Sequence, residues 1–214
     1  MAIKRKGNLT KEKILHFAKD AFYQNGYHAT QLKSIAALAD LSLGNLNYYF
    51  KKKDDLVEEI YRQFFTDIYH FIKKSVVINP LEQFCLFQFM VYTIVLTDEH
   101  NKRFYCEIIQ DKSNYRVMHG LMREKYHEML DALGHSPEHL DFEIILLAEF
   151  GTRREIFLNF FAGDLHLTLD QLVYYLIRNT CKNLEVPPSV FENLMTFSHH
   201  FIAEKDFSHL KFLA

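Results

Sequence analysis

Apolar residues recur at helical spacing along nearly the whole chain, and no strict alternation lasts long enough to propose a sheet. From Thr10 to Asn25, Ile14, Phe17, Ala18, Ala21 and Phe22 keep the i, i+3, i+4, i+7, i+8 rhythm of one buried stripe. Only 7 glycines and 4 prolines punctuate 214 residues, too few for the tight turns of an all-β protein. An all-α fold is therefore expected. The 20 Phe and 12 Tyr supply the bulk for a real core.

Local signals divide the chain. Thr10 can cap the first helix, and Gly26 can end it as a left-handed residue. Thr30 is the next cap candidate, with Leu32, Ile35, Ala36 and Ala39 on the inner face of a short second helix. Asp40-Leu41 makes a turn, Ser42 caps a third helix, and Leu43, Leu46 and Phe50 face inward. Lys53 or Asp54 opens a fourth helix, whose apolar positions Leu56, Ile60, Phe64, Ile68 and Phe71 run to about Val76. Further helices are expected at 80–97, 101–111, 115–133, 137–162, 168–184 and 188–204. Pro80, Gly134 with Pro137, Gly163 and Pro187-Pro188 separate them. No flexible linker intervenes, so two domains, residues 1–55 and 56–214, should be coupled mechanically through the fourth helix.

Several function classes lose support. The start, MAIKRKGNLTKEK, lacks the apolar run of a signal peptide. The longest stretch free of Asp, Glu, Lys and Arg is Gln83 to Thr97, 15 residues, short of a membrane span. Cys85, Cys106 and Cys181 are dispersed and read as idle thiols in a reducing cytosol. No nucleophile elbow, P-loop or GxGxxG is present, so no enzyme and no cofactor are expected. His135 and His139 are separated by Pro137, His119 and His127 are eight apart, and His199 and His200 diverge; no metal site is expected.

Charge is uneven. Residues 1–55 carry ten Lys/Arg against five Asp/Glu, and the remainder fifteen against twenty-two. A basic head on an acidic body suggests that only the head meets a polyanion. Lys4, Arg5 and Lys6 read equally as a solubilising tail or as an arm on a phosphate backbone.

The second and third helices make a helix-turn-helix, braced by the first. In the stretch ADLSLGNLNYYFKKKDDL, Gly44, Asn45 and Tyr48 point away from the inner face, with Asn47 and Tyr49 on the flanks. Gly44 removes a side chain where a sugar-phosphate strand can approach. Asparagine amides can bond base edges, and tyrosine hydroxyls can donate to phosphate. Lys51, Lys52 and Lys53 follow at the start of the fourth helix.

Residues 10–56 resemble the N-terminal domain of the TetR family of bacterial transcriptional repressors. The resemblance rests on AFYQNGYHATQLKSIAALADLSLGNLNYYFKKKDDL, with Gly26, Ile35-Ala36, Ser42, Gly44, Leu46, Tyr48, Phe50, Lys53 and Leu56 in register. It departs from the family pattern at Asp40, where the family usually has Gly, and at Asn47, where it commonly has Tyr. The resemblance implies phosphate contacts by Thr30, Gln31, Lys33, Ser42 and Lys53. It implies base-edge contacts by Asn45 and Asn47, phosphate or base contacts by Tyr48 and Tyr49, and close approach at Gly44. It further implies a cytoplasmic homodimer, with no membrane partner, that binds a palindromic operator and meets the nucleoid when bound. Two of the last three long helices should pair with their symmetry mates, for which Leu172, Tyr175, Leu176 and Asn179 offer a stripe. Finally it implies a pocket for a small effector, apolar or aromatic in character. Phe64, Phe84, Phe87, Tyr92, Phe104, Tyr105, Met118 and Met122 are its candidate walls, and Glu107, Arg123 or a tyrosine hydroxyl can orient the effector. The rival reading is a cytosolic helical ligand-binding or interaction module whose helix-turn-helix is vestigial.

Overall fold

The helical periodicity is realised almost segment for segment. The computed structural model describes residues 2–111, 113–135 and 139–214 and, of these, the side chains of all but 2–6, 113–116, 119, 139 and 140. The cluster Lys4, Arg5 and Lys6, the break at Pro137, and the ring positions of His119 and His139 thus lie outside the described residues. Among the described residues the chain forms ten helices and no strand. The helices are α1 (Ala2–Ala29), α2 (Leu32–Leu38), α3 (Leu43–Tyr49), α4 (Lys53–Ser75), α5 (Pro80–Thr97), α6 (Glu99–Gln110), α7 (Ser113–Ala132), α8 (His139–Ala162), α9 (Leu169–Asn183) and α10 (Pro188–Glu204).

Short-range chemistry sets most of the ends. Asn79 accepts from the backbone of Leu81 and Glu82, and Glu82 reaches back to the Asn79 N–H at 2.9 Å, closing a capping box at α5. Asp98 starts α6 by accepting from Asn101 N at 2.8 Å, and Thr168 with Gln171 boxes the start of α9. Two non-glycine residues hold the left-handed position after a helix: Asp40 (φ 56) after α2 and Glu185 (φ 54) after α9. In both places the next amide bonds back five residues, Leu41 N to Ala36 O and Val186 N to Cys181 O. The turn expected at Asp40 therefore forms without glycine.

Two capping expectations fail. Helix α1 begins at Ala2, so Thr10 lies inside it; the residues before Thr10 include lysines and an arginine, which are good helix formers. Gln31, not Thr30, occupies the N-cap of α2, and it makes no side-chain cap bond. The Thr30 hydroxyl is instead buried on Gly26 O (2.6 Å) and Ala21 O (3.1 Å). Those carbonyls are exposed by the bend at Gly26 (φ 80, ψ 178), a conformation open almost only to glycine.

Helix α5 is the hub of the body. Twelve of its residues are buried, and α4, α6, α7, α9 and α10 all pack on it. Among the described residues it alone is long and apolar enough to cross a bilayer, but 67% of that window is buried inside the fold, as befits a core helix. The stripe proposed on α9 is corrected. Leu172 and Leu176 are buried within the chain's own core, and only Tyr175 stands out. The α9 pattern serves its own chain because α5 and α8 flank it.

Head and body meet along more than α4. Helix α1 lies against α6, with Phe22 and Phe104 rings 4.9 Å apart. Tyr23 donates its hydroxyl to Asp98 (2.9 Å), and Arg103 donates to the carbonyls of Tyr23 and Gln24. Residues 205–214 then fold back over α4. Phe212, fully buried, sits 5.0 Å from Tyr61, 4.9 Å from Phe64 and 5.7 Å from Phe104. One ring thus joins α4 to α6 beside the first helix.

Candidate nucleic-acid interface

The helix-turn-helix is built on a small apolar base. Ile35, Ala36, Ala39, Leu46 and Phe50 are all buried with Ile14, Ala18 and Phe22 of α1. Ser42 caps α3 by accepting from Asn45 N at 3.1 Å, which leaves its hydroxyl hydrogen free to donate outward. Leu43, expected inside, is 41% exposed; it is the first residue of α3, and the turn has not yet brought that face onto the core.

With Leu46 turned in, the other face of α3 turns out. Gly44, Asn45 and Asn47 are exposed, and Tyr48 is 82% exposed with its ring edge-on to Tyr49. Gly44 has no internal reason to be glycine. Its φ is not left-handed, and an added Cβ would find only Ser42 Oγ at 3.8 Å. Glycine within a helix costs about 1 kcal/mol relative to alanine. Packing inside the chain therefore does not account for glycine at this position.

The remaining candidates separate by position. Gln31 and Lys33 are exposed on the first turn of α2, beside Ser42's end of α3. Tyr49 is half-buried, its hydroxyl near the backbone of Gly7 in α1. Thr30 is withdrawn from the surface, only 4% exposed, for the reason given by its two carbonyl partners. Lys53 is partly occupied. Its ammonium donates to Tyr27 O at 2.7 Å and lies 4.2 Å from the Tyr27 ring centroid, while Tyr27 donates to Asp54. Burial draws this ammonium below its ordinary pKa, against the pull of Asp111, Glu107 and Asp54. Lys51 and Lys52 keep exposed side chains, and their backbone amides are held by Asp55 at 2.8 and 3.1 Å.

A cavity of about 20 Å³, room for one water-sized body, lies in the body between α4, α5, α7 and α8. Phe84, Phe87, Tyr92, Met118 and Met122 line it, as the resemblance implied. Phe64, Phe104 and Tyr105 do not. The first two close on Phe212, and Tyr105 packs edge-on to Phe157. The polar orienting groups are also different. Glu107 faces the head, accepting from His28 N at 2.7 Å and blocking any Cβ at Gly26, and Arg123 pairs with Glu143. The residues with polar atoms on the cavity wall are Gln88, Tyr92, Tyr126 and Arg153. Sequence reasoning missed Gln88 and Arg153. Gln88 sits among phenylalanines, and Arg153 with Glu149 has the i, i+4 spacing of an ordinary surface pair.

A family model described as "Bacterial regulatory proteins, tetR family" matches residues 14–60. The regulator QacR of Staphylococcus aureus (strain Mu50) is 50% identical over 50 residues, 23% of this chain and 27% of that protein. The probable regulator YttP of Bacillus subtilis (strain 168) is 30% identical over 125 residues, 55% of this chain and 60% of that protein. The match thus spans little more than a quarter of the first relative and under two thirds of the second. The solved structure of the TetR family protein CprB from S. coelicolor A3(2) aligns with a TM-score of 0.48 at 22% identity, covering 92% of this chain and 100% of that one. Residues 14–60 of this chain thus match the family of bacterial regulatory proteins named tetR, and the match is confined to that N-terminal part.

Proposed function

We propose that this chain is a cytoplasmic transcriptional regulator that binds a palindromic DNA operator as a homodimer and represses from it. A small apolar or aromatic effector in the body releases the DNA. The outward face of α3 carries this reading: Asn45, Asn47 and Tyr48 are exposed beside a glycine that the chain itself does not need. Such a face suits the major groove, where asparagine pairs with the N6/N7 edge of adenine and a backbone at Gly44 can come close to a strand. Lys33, Lys51 and Lys52 flank it as phosphate partners.

One short helix reads too few bases, so a dimer with tips about 34–36 Å apart is needed to reach successive major grooves. Exposed apolar residues favour α8 and α9 as its interface: Ile144 and Leu147 on α8, with Tyr175 on α9. Residues 1–55 act as the reading head and 56–214 as the sensing and pairing body. Since α4 and α6 both touch α1, a change in the body's packing alters the tip separation, and the effector acts by shifting that equilibrium.

The test is a gel shift with the DNA upstream of the chain's own gene, in excess competitor DNA. Retention of one palindromic segment by the wild type, lost on Asn45→Ala with Tyr48→Ala, is the expected result. Absence of any sequence-selective complex sinks the reading and leaves a ligand-binding module with an idle helix-turn-helix.

A further inference from the structure

The body holds a buried charged pair whose geometry dictates what its cavity can bind. Arg153 of α8 is 8% exposed and Glu149 is 1% exposed. Each is fully engaged. Glu149 takes Arg153 and Thr180 on one oxygen, and Asn179 (3.0 Å) and Asn183 (3.2 Å) on the other. Arg153 donates through its other terminal nitrogen to the Tyr92 hydroxyl at 2.5 Å and to the Gln88 side-chain oxygen. A guanidinium has no acceptor, so it fixes which end of the Gln88 amide it faces. The Gln88 oxygen points at Arg153, and its Nε2 is left as the free end.

That nitrogen is buried, belongs to a cavity-lining residue that is 3% exposed, and has no acceptor among the described residues. An unmet buried donor destabilises a fold, and its retention points to a partner from outside. The rest of the wall is apolar or aromatic, with Phe84, Phe87 and Phe150 among it. The space holds one water-sized body as it stands, so a larger ligand must displace wall side chains, and Met118 and Met122 are the ones that re-pack readily.

We propose that the cavity binds an uncharged, flat apolar molecule carrying one hydrogen-bond acceptor oxygen, which accepts from Gln88 Nε2. This rests on the effector reading of the body and deepens it. Charge is excluded in both directions. The free polar group at the wall, Gln88 Nε2, is a donor, so an ammonium finds no acceptor in it. Glu149 already neutralises Arg153, so a carboxylate would enter without a counter-ion beside a buried anion.

Four naphthalenes of matched shape test the idea by calorimetry on the full chain at pH 7, in the absence of DNA. They are 2-acetylnaphthalene, 2-isopropylnaphthalene, 2-naphthoate and 2-(aminomethyl)naphthalene. The ketone should bind about tenfold more tightly than the hydrocarbon, with both charged forms weaker still. In Gln88→Met the ketone's advantage should vanish while the hydrocarbon's affinity holds. In Gln88→Glu, which keeps an oxygen on Arg153 and supports folding, preference should move to the ammonium. Equal affinity for ketone and hydrocarbon overturns the proposal, as does a preference for naphthoate, an advantage that survives Gln88→Met, or no binding by any of the four. A gel shift on the same preparation tells the two failures apart: lost operator binding counts against the regulator reading, whereas the titrations judge the cavity alone.

Discussion

Helices α3 and α5 use side chains in opposite ways. Of the seven residues of α3 only Leu46 is fully buried, and most of the others stand exposed. Of the eighteen residues of α5 twelve are buried, and its one polar residue of consequence, Gln88, is turned to the interior. In the first helix the chemistry is displayed on the surface over a minimal apolar base. In the second it is hidden among phenylalanines, where a single amide is the proposed selector of a ligand. A surface that must match a repetitive polymer can be read from residue order, and a cavity cannot, because helices distant in sequence compose it.

The sharpest way to break this contrast is in the body. Arg153→Met strands Glu149 in the interior and should cost about 3–5 kcal/mol in urea unfolding, with most of it recovered in the double variant Glu149→Leu/Arg153→Met. A single variant as stable as the wild type would mean that water reaches the pair. At the tip the balance should reverse. Asn45→Ala should leave stability within about 0.5 kcal/mol yet relax operator preference at one base pair by about 1–3 kcal/mol, read by competition against single-base operator variants. Gly44→Ala sharpens the point by separating the two quantities. It should stabilise the fold by up to about 1 kcal/mol while weakening DNA binding, and a variant that gains stability with unchanged affinity removes close approach at α3. The smallest effect concerns salt. Lys51→Ala or Lys52→Ala should flatten the salt slope by about one unit, whereas Lys53→Ala should flatten it less and lower stability, because its ammonium serves Tyr27.

A titration at the seam between the two regions gives a further handle. Although burial pushes its carboxyl up, Asp98 is held below its ordinary pKa by the amides of Asn101 and His100 and by the Tyr23 hydroxyl. A group depressed in the folded state lends stability that is complete above its unfolded value, about 3.9, and is lost as pH falls through the folded one. Wild-type stability should therefore fall as pH drops below about 3.9 through the folded value, whereas Asp98→Asn, less stable at neutral pH, should change less across that window.

Helix boundaries were legible because their causes are local. Asn79 with Glu82, Ser42, and Asp40 in its left-handed turn act within six residues of chain. The exposed face of α3 was legible for the same reason, since one helical turn separates Leu46 from Phe50. Thr30 was misread because its partners exist only once the chain bends at Gly26. Leu172 and Leu176 offered a stripe that two packings satisfy equally, and spacing has no means of choosing between a neighbour in the same chain and one in a second copy. Glu107 and Arg103, which tie α6 to the first helix across about 80 residues, left no mark in sequence order.

Phe212 meets Tyr61 and Phe64, some 150 positions earlier in the chain, on one side and Phe104, about 110 earlier, on the other. Closing so large a loop is entropically slow, whereas the trihelical tip assembles from neighbours. The tip therefore gains its shape early in folding and its fixed bearing late. On the proposed function, a molecule whose ring is not yet seated would touch a duplex without holding the aim that distinguishes one site from another.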